Sequence, residues 1–234
     1  RQRQMCIRDR AYTTLYEATH KEVHKRALQE IIDIVLKHMV DYDFWCGRNQ
    51  FSIDFTPKPA ISIRRTWNYD RDPESANKNP LDTTSYGHNI ELIWLLNRAY
   101  EVLGLPPARE FTRKFADYTL ANGWDNIHGG IYRDGMHDGR IVVTDKEWWQ
   151  NFESLTGFLD SYQATEDERY LDTFIKLWEF DKKYFYNPEV GESRQLLLAD
   201  GTPVIDDTGN QWKCIYHTDR AMMECCLRIE SLTE

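Results

Sequence analysis

The sequence predicts an all-α protein, a toroid of paired helices, on three observations. Apolar residues recur at helical spacing along most of the 234 residues. One pattern of helix end, tyrosine, short polar connection and second helix recurs along the chain. Strand-type alternation is confined to short pieces.

The clearest helix runs from Glu22 to Val40, "EVHKRALQEIIDIVLKHMV", with Val23, Ala27, Leu28, Ile31, Ile34, Val35 and Met39 on one side and charges opposite. Similar runs cover about residues 86 to 103, 108 to 121, 146 to 164, 168 to 184 and 217 to 232. "FSIDF" and "ISIRR", separated by Pro57 and Pro59, read as a hairpin at one end of the helical body. The repeat emerges when helix ends are aligned: "LYEATHKEVHKRALQEII", "AYEVLGLPPAREFTRKFA" and "SYQATEDERYLDTFIKLW" carry Tyr16, Tyr100 and Tyr162 at equivalent points. They mark three helix pairs, and residues 217 to 232 start a fourth. Helix pairs at this long period, each followed by a Gly-containing loop, predict an α/α toroid rather than a tight solenoid. The long loops at about 41 to 84, 122 to 145 and 187 to 213 are expected to gather at one end and to hold the site.

Composition bounds the function. A formal charge of −9, with 29 Lys and Arg against 38 Asp and Glu, argues against a nucleic-acid partner or an anionic membrane surface. No apolar run approaches the roughly 20 residues that span a bilayer. Eight Trp and thirteen Tyr recur beside polar residues, as in an aromatic-lined pocket for a sugar, whose C–H faces stack on rings while its hydroxyls bond to polar neighbours. The five cysteines, irregularly spaced, point to a reduced, cytoplasmic protein. The first ten residues, "RQRQMCIRDR", have four arginines and little amphipathic order. They resemble a translated sequencing-library adapter, which places the fold in residues 11 to 234 as a single partial domain and makes the chain a fragment.

Three constellations sit where a long loop enters a helix. In "SYGHNIE", Gly87 relieves crowding, and His88 and Glu91 share one face of the first turn. The helix dipole there disfavours imidazolium, so His88 is expected to stay neutral and available as a base. In "DKEWWQNFE", Trp149 and Glu153 are four apart and present a ring and a carboxylate to one cavity; the adjacent Trp148 and Trp149 cannot both face the core. In "NQWKCIYHTDR", Trp212 and His217 open the last helix. Spacing alone does not separate a catalytic from a structural His88. His88 with Glu91 has the H-x-x-E spacing of a metal pair, but no third ligand follows at suggestive spacing, so no metal is expected. Trp94 and Trp178 read as packing, and His20 and His24 as solvated. "GGIYRDG" is a turn and short strand without the helix of a phosphate loop.

Taken in order, these segments resemble the N-acylglucosamine 2-epimerase superfamily, especially its cellobiose and mannobiose 2-epimerase branch. "SYGHNIELIWLL" is similar to the family's S-Y-G-H-D-I-E helix start, "EWWQNFESLTGFLDSYQAT" to its W-W-x-Q-A-E segment, and "WKCIYHTDRAMME" to its W-K-C-P-Y-H-N-G-R ending. The resemblance covers about Ala11 to Ile229 and implies an (α/α)6 barrel truncated at its N-terminal side, with short β-hairpins in the loops at one end. It implies His88 and His217 as the acid/base pair, Glu91 and Glu153 as pocket carboxylates, and Trp149 and Trp212 as sugar-stacking rings; Tyr86 and Trp148 complete the candidate binding set. A further family histidine and a pocket arginine lie upstream of the segment matched by "AYTTLYEAT", where this chain has "MCIRDR". Asn89 stands where the family has Asp, and Thr218 and Asp219 where it has Asn-Gly; both changes are expected beside the sugar. The implied reaction is epimerisation or aldose–ketose isomerisation of a reducing sugar or disaccharide through a cis-enediolate, with no cofactor. The alternatives are a glycoside hydrolase on the same scaffold, with Glu91 or Glu153 as general acid, and an inactive sugar-binding fragment.

Overall fold

The computed structural model describes residues 2–59 and 81–233, and the side chains of these except residues 2–9. Helix α1 spans Gln2–Thr19, and α2, Glu22–Ile34, runs into a π turn at Val35–Met39. The hairpin strands β1, Val40–Asp41, and β2, Cys46–Gly47, follow. Strand β3, Thr83–Ser85, leads directly into α3, Tyr86–Val102, and then α4, Arg109–Asn122. Strands β4, Asp134–Met136, β5, Ile141–Val143, and β6, Lys146–Glu147, precede α5, Trp148–Thr165. Helix α6, Glu168–Phe180, runs into a second π turn, Asp181–Phe185, and a hairpin of β7, Tyr186–Asn187, and β8, Glu192–Ser193. Strands β9, Leu196–Leu197, and β10, Pro203–Ile205, lead to α7, Tyr216–Thr233.

Helices α1, α3, α5 and α7 lie side by side in one row, while α2, α4 and α6 each back the helix that precedes them. This is the paired arrangement expected of an α/α toroid, with Tyr16, Tyr100 and Tyr162 near the ends of α1, α3 and α5. The rows differ in why they are helical. Outer helices α2 and α6 bury one stripe, Leu28, Ile31 and Ile32 in the first and Tyr170, Thr173 and Leu177 in the second. Inner helices α3 and α5 are buried around nearly their whole circumference, because each is flanked by a neighbour on both sides and covered by an outer helix. The repeat also extends beyond the helix pairs: both α2 and α6 unwind into a π turn and then a two-stranded hairpin.

Two glycines let the inner helices approach closely. A Cβ on Gly157 would overlap the Ile90 side chain and lie 2.7 Å from the Ile90 carbonyl oxygen; one on Gly87 would lie 2.9 Å from the Gln150 Cα. Gly157→Ala is therefore expected to cost about 1–3 kcal/mol, read as a lowered urea midpoint with an unchanged denaturant slope.

Short sheets bring the long loops to one end. β3, β4 and β5 form one antiparallel sheet, and β6, β9 and β10 another. Since β3 runs into α3 and β6 into α5, the loops collect where those helices begin. The sequence expectation for "FSIDF" needs correction. Instead of a strand, Ser52 to Phe55 form a tight turn closed by a Phe51–Pro57 bridge. Ser52 Oγ donates to the Thr56 carbonyl at 3.1 Å and Thr56 N–H donates to Asp54 Oδ1 at 3.2 Å, so side chains satisfy the groups a ladder would have used. "ISIRR" and most of the loop from Asn68 to Asp82 lie outside the described residues.

The core joins the helix rows through Leu28, Ile31, Ile90, Ile93, Phe115, Leu155, Phe158 and Leu177. Among the described cysteines, Cys46, Cys214, Cys225 and Cys226 are all free thiols. Among the described residues, no helix is long and apolar enough to cross a membrane.

Candidate active site

Three inner helices deliver side chains to one place from their first turns. Helix α3 starts at Ser85, whose Oγ accepts the His88 backbone N–H at 3.5 Å and the Gln150 amide at 3.1 Å, locking α3 to α5. With Gly87 under Gln150, the first turn of α3 meets that of α5, and the His88 ring lies 4.6 Å from that of Trp149. From α7, the His217 ring comes within 5.6 Å of Trp149 and 6.2 Å of Trp148. The Trp149 indole therefore touches both imidazoles, and its Nε1 donates to Glu147 Oε2 at 2.6 Å, which fixes the ring plane.

Glu153, one turn below Trp149, is fully buried. Its Oε1 lies 2.6 Å from His217 Nδ1, its Oε2 accepts from Trp94 Nε1 at 3.2 Å, and Arg220 Nη2 is in direct contact with Oε1. A carboxylate only accepts, so Nδ1 is the donor to Glu153 and His217 turns Nε2 to the other side. Arg220 is also 3.5 Å from Glu91 Oε1, and its guanidinium stacks over the rings of Tyr216, at 4.3 Å, and Trp94, at 5.0 Å. Burial brings the Arg220 guanidinium down to about 10, with Glu91 opposing, so it remains a cation at neutral pH. Glu91, Glu153 and His217 offer donor atoms within 4.8 Å of one another, the only such group among the described residues. They could hold a divalent cation, but the positive charge these carboxylates call for already comes from Arg220.

The structure thus brings together His88, Glu91, Trp148, Trp149, Glu153 and His217. Two other predicted residues sit elsewhere. Tyr86 is fully buried against Tyr118, Gly123 and Gly135 beneath β4, where burial and the nearby Asp134 push its phenol up. Trp212 is 42% exposed, in a turn where its backbone N–H donates to Asn210 Oδ1 at 2.8 Å. The two positions expected beside the sugar are tied to the scaffold. Asn89 Oδ1 accepts the Gly47 backbone N–H at 2.8 Å and its amide reaches Thr84 Oγ1 at 3.0 Å, so it anchors the β1–β2 hairpin to α3. Thr218 Oγ1 donates to Glu192 Oε1 at 3.2 Å, tying α7 to β8.

Sequence reasoning missed Trp94 and Arg220. The amphipathic pattern around Trp94 predicts packing, yet its indole N–H donates to Glu153 Oε2. The available signal was periodicity: Trp94 follows Glu91, and Arg220 follows His217, by one helical turn.

A family model described as N-acylglucosamine 2-epimerase (GlcNAc 2-epimerase) matches residues 8–221. The chain belongs to that family. It is similar to a cellobiose 2-epimerase of Ruminococcus albus, 34% identical over 153 residues, which are 63% of this chain and 38% of that protein. It is also similar to a cellobiose 2-epimerase of Bacteroides fragilis, 33% identical over 218 residues, 91% of this chain and 50% of that one. The solved structure of cellobiose 2-epimerase from Spirochaeta thermophila superposes with a TM-score of 0.77 at 25% identity, covering 98% of this chain and 52% of the other. The fold is that of the (α/α)6 barrel epimerases, and the chain spans half or less of the length of these curated relatives.

Proposed function

We propose that this chain carries proton-transfer machinery for epimerisation or isomerisation at C2 of a reducing sugar, with His88 and His217 as the two acid/base groups. The observation that supports this most is the pair of imidazoles on one indole, Trp149, with His217 backed by a buried carboxylate. In the open-chain aldose the C2 hydrogen is acidified by the C1 carbonyl. One imidazole takes that proton, and the C–H electron pair moves through the new C1–C2 double bond onto the carbonyl oxygen, giving a cis-enediolate. Return of a proton to the opposite face of C2 from the other imidazole gives the epimer; return to C1, with the O2 proton passing to O1, gives the ketose. Trp149, between the two imidazoles, is the ring proposed to meet the sugar's C–H surface, and Glu153 orients His217 and raises its basicity. Trp148, 2% exposed and covered by Lys213, packs behind it, so that both adjacent tryptophans are buried, contrary to the sequence expectation. Relatives named cellobiose and N-acylglucosamine 2-epimerases support an aldose or disaccharide as substrate.

A hydrolase reading is disfavoured by the same geometry. Glu91 and Glu153 lie side by side on the Arg220 guanidinium, in a group whose donor atoms are within 4.8 Å of one another, whereas hydrolysis needs two carboxyls opposed across the scissile bond at roughly 5 to 9.5 Å. Incubation of the chain with cellobiose, mannobiose, glucose, mannose and N-acetylglucosamine in deuterated water is expected to exchange the C2 hydrogen of at least one sugar, seen by proton NMR. Shortened sugars without C2 exchange would replace this reading with hydrolysis.

A further inference from the structure

We propose that Arg220 is a positioning residue: by bridging Glu153 and Glu91 it keeps Glu153 a carboxylate, and so holds His217 as the Nδ1–H tautomer with Nε2 as its working nitrogen. This rests on the acid/base role of His217 proposed above and adds the group that sets it.

Two carboxylates lie here in a buried region, each 7% exposed or less, with donor oxygens inside the 4.8 Å cluster. Two like charges at that distance would share a proton unless a cation lies between them. A proton on Glu153 would turn it into a donor, forcing His217 Nδ1 to accept and moving the ring hydrogen to Nε2. The working nitrogen would then be blocked without any motion of the backbone. Arg220 prevents this from a fixed place. Its plane is held between the rings of Trp94 and Tyr216, and Nη1 donates to Tyr216 Oη. The 3.3 Å approach of Nη2 to His217 Nδ1 is that of a neighbouring charge, because the 2.6 Å contact to Glu153 takes the Nδ1 hydrogen. A lysine could supply the charge but not the planar fork or the stacking.

The other groups facing this unit are Arg10 from α1, His88 and Glu91 from α3, and Tyr216 and Glu224 from α7. Lys213 and Glu192 stand behind Trp148 and Thr218. Arg220 is the cation in contact with Glu153, so its removal leaves the cluster one positive charge short. The next proton to bind goes to Glu153 or His217 at a higher pH than before, and in either case the base is impaired.

The experiment uses the full chain with Arg220→Gln and Arg220→Lys. For Arg220→Gln, the acid limb of the C2-exchange rate should move up by about one pH unit or more, a roughly tenfold loss on that limb. The rate should recover on the alkaline side. Arg220→Lys should leave the limb near its original position while lowering the plateau. Nitrogen-15 NMR of the His217 ring, read without sugar, should show the Nδ1–H tautomer in the unaltered chain and a titration midpoint raised by Arg220→Gln. A loss equal at every pH, with the His217 midpoint unmoved, would reduce Arg220 to a structural part and overturn the proposal. Absent sugar exchange with a shifted midpoint would sink the proposed function and leave only the part of the inference that Arg220 sets the His217 tautomer. Should Arg220→Gln not fold, the Glu153 carboxyl carbon in the unaltered chain decides: an ionised signal down to about pH 5 supports the proposal, and a midpoint above about pH 6 overturns it.

Discussion

His217→Ala is expected to lower the rate of C2 hydrogen exchange by roughly 10²- to 10⁴-fold, the usual contribution of a positioned general acid/base. The fold should survive, because Glu153 keeps Arg220 and Trp94 as partners when the imidazole goes, so no buried charge is stranded. His88→Ala should produce a comparable loss, with the His88 ring removed from its contact with Trp149. Thermal melts and exchange rates measured on the same preparations separate the two effects. A variant that keeps near-native exchange in either case would remove that histidine from the mechanism. Should one variant lose epimer formation while still exchanging solvent deuterium into C2, the remaining imidazole is the one that abstracts.

The second large effect lies away from the chemistry. Lys146 and Asp125 form an ion pair at 2.7 Å with both side chains fully buried, and Lys146 also donates to the Ala199 carbonyl. The pair joins β6, which leads into α5, to the loops on either side. Lys146→Met should destabilise by about 3–5 kcal/mol, because it strands the Asp125 carboxylate in the interior. Lys146→Met with Asp125→Asn should recover part of that loss. Chemical denaturation of the single and double variants checks both expectations. The pair also predicts a pH dependence. Burial pushes the Asp125 carboxyl up, but the Lys146 ammonium and the Ile127 and His128 backbone N–H groups outweigh it and hold it below the usual range. A depressed carboxylate contributes stability above its unfolded value of about 3.9, and that contribution is lost as pH falls toward and through the folded one. Asp125→Asn should therefore flatten the acid end of the stability profile.

Much of this molecule was legible before its structure. The outer helices announce themselves through one apolar stripe, and α2 carries Leu28 and Ile31 on the face that the periodicity assigned to the core. The tyrosine spacing located three helix pairs and the opening of a fourth, and the histidine, glutamate and tryptophan segments marked the helix starts. Such features are local: a helical period, a glycine before a helix, or a pair of residues one turn apart belongs to a few consecutive residues. The resemblance carried by those segments agrees with the family to which the chain belongs.

Other features required the packing. Helices α3 and α5 are buried on nearly every side, so hydrophobicity does not say which face carries the site and which meets a neighbouring helix. Trp94 and Tyr86 show the consequence: both are buried aromatic residues of α3, yet one holds Glu153 and the other fills the core beneath β4. Asn89 and Thr218, adjacent in sequence to His88 and His217, turn instead to Gly47 and Glu192, because neighbours on a helix point about 100° apart. The sequence by itself marked helices α2 to α7 and where His88 and His217 lie along them, but not that residues 2–10 continue α1. Only the tertiary structure decided that Glu153, Trp94 and Arg220 surround the inner side of His217, since those contacts join α3, α5 and α7 and depend on how three separate helices turn toward one another.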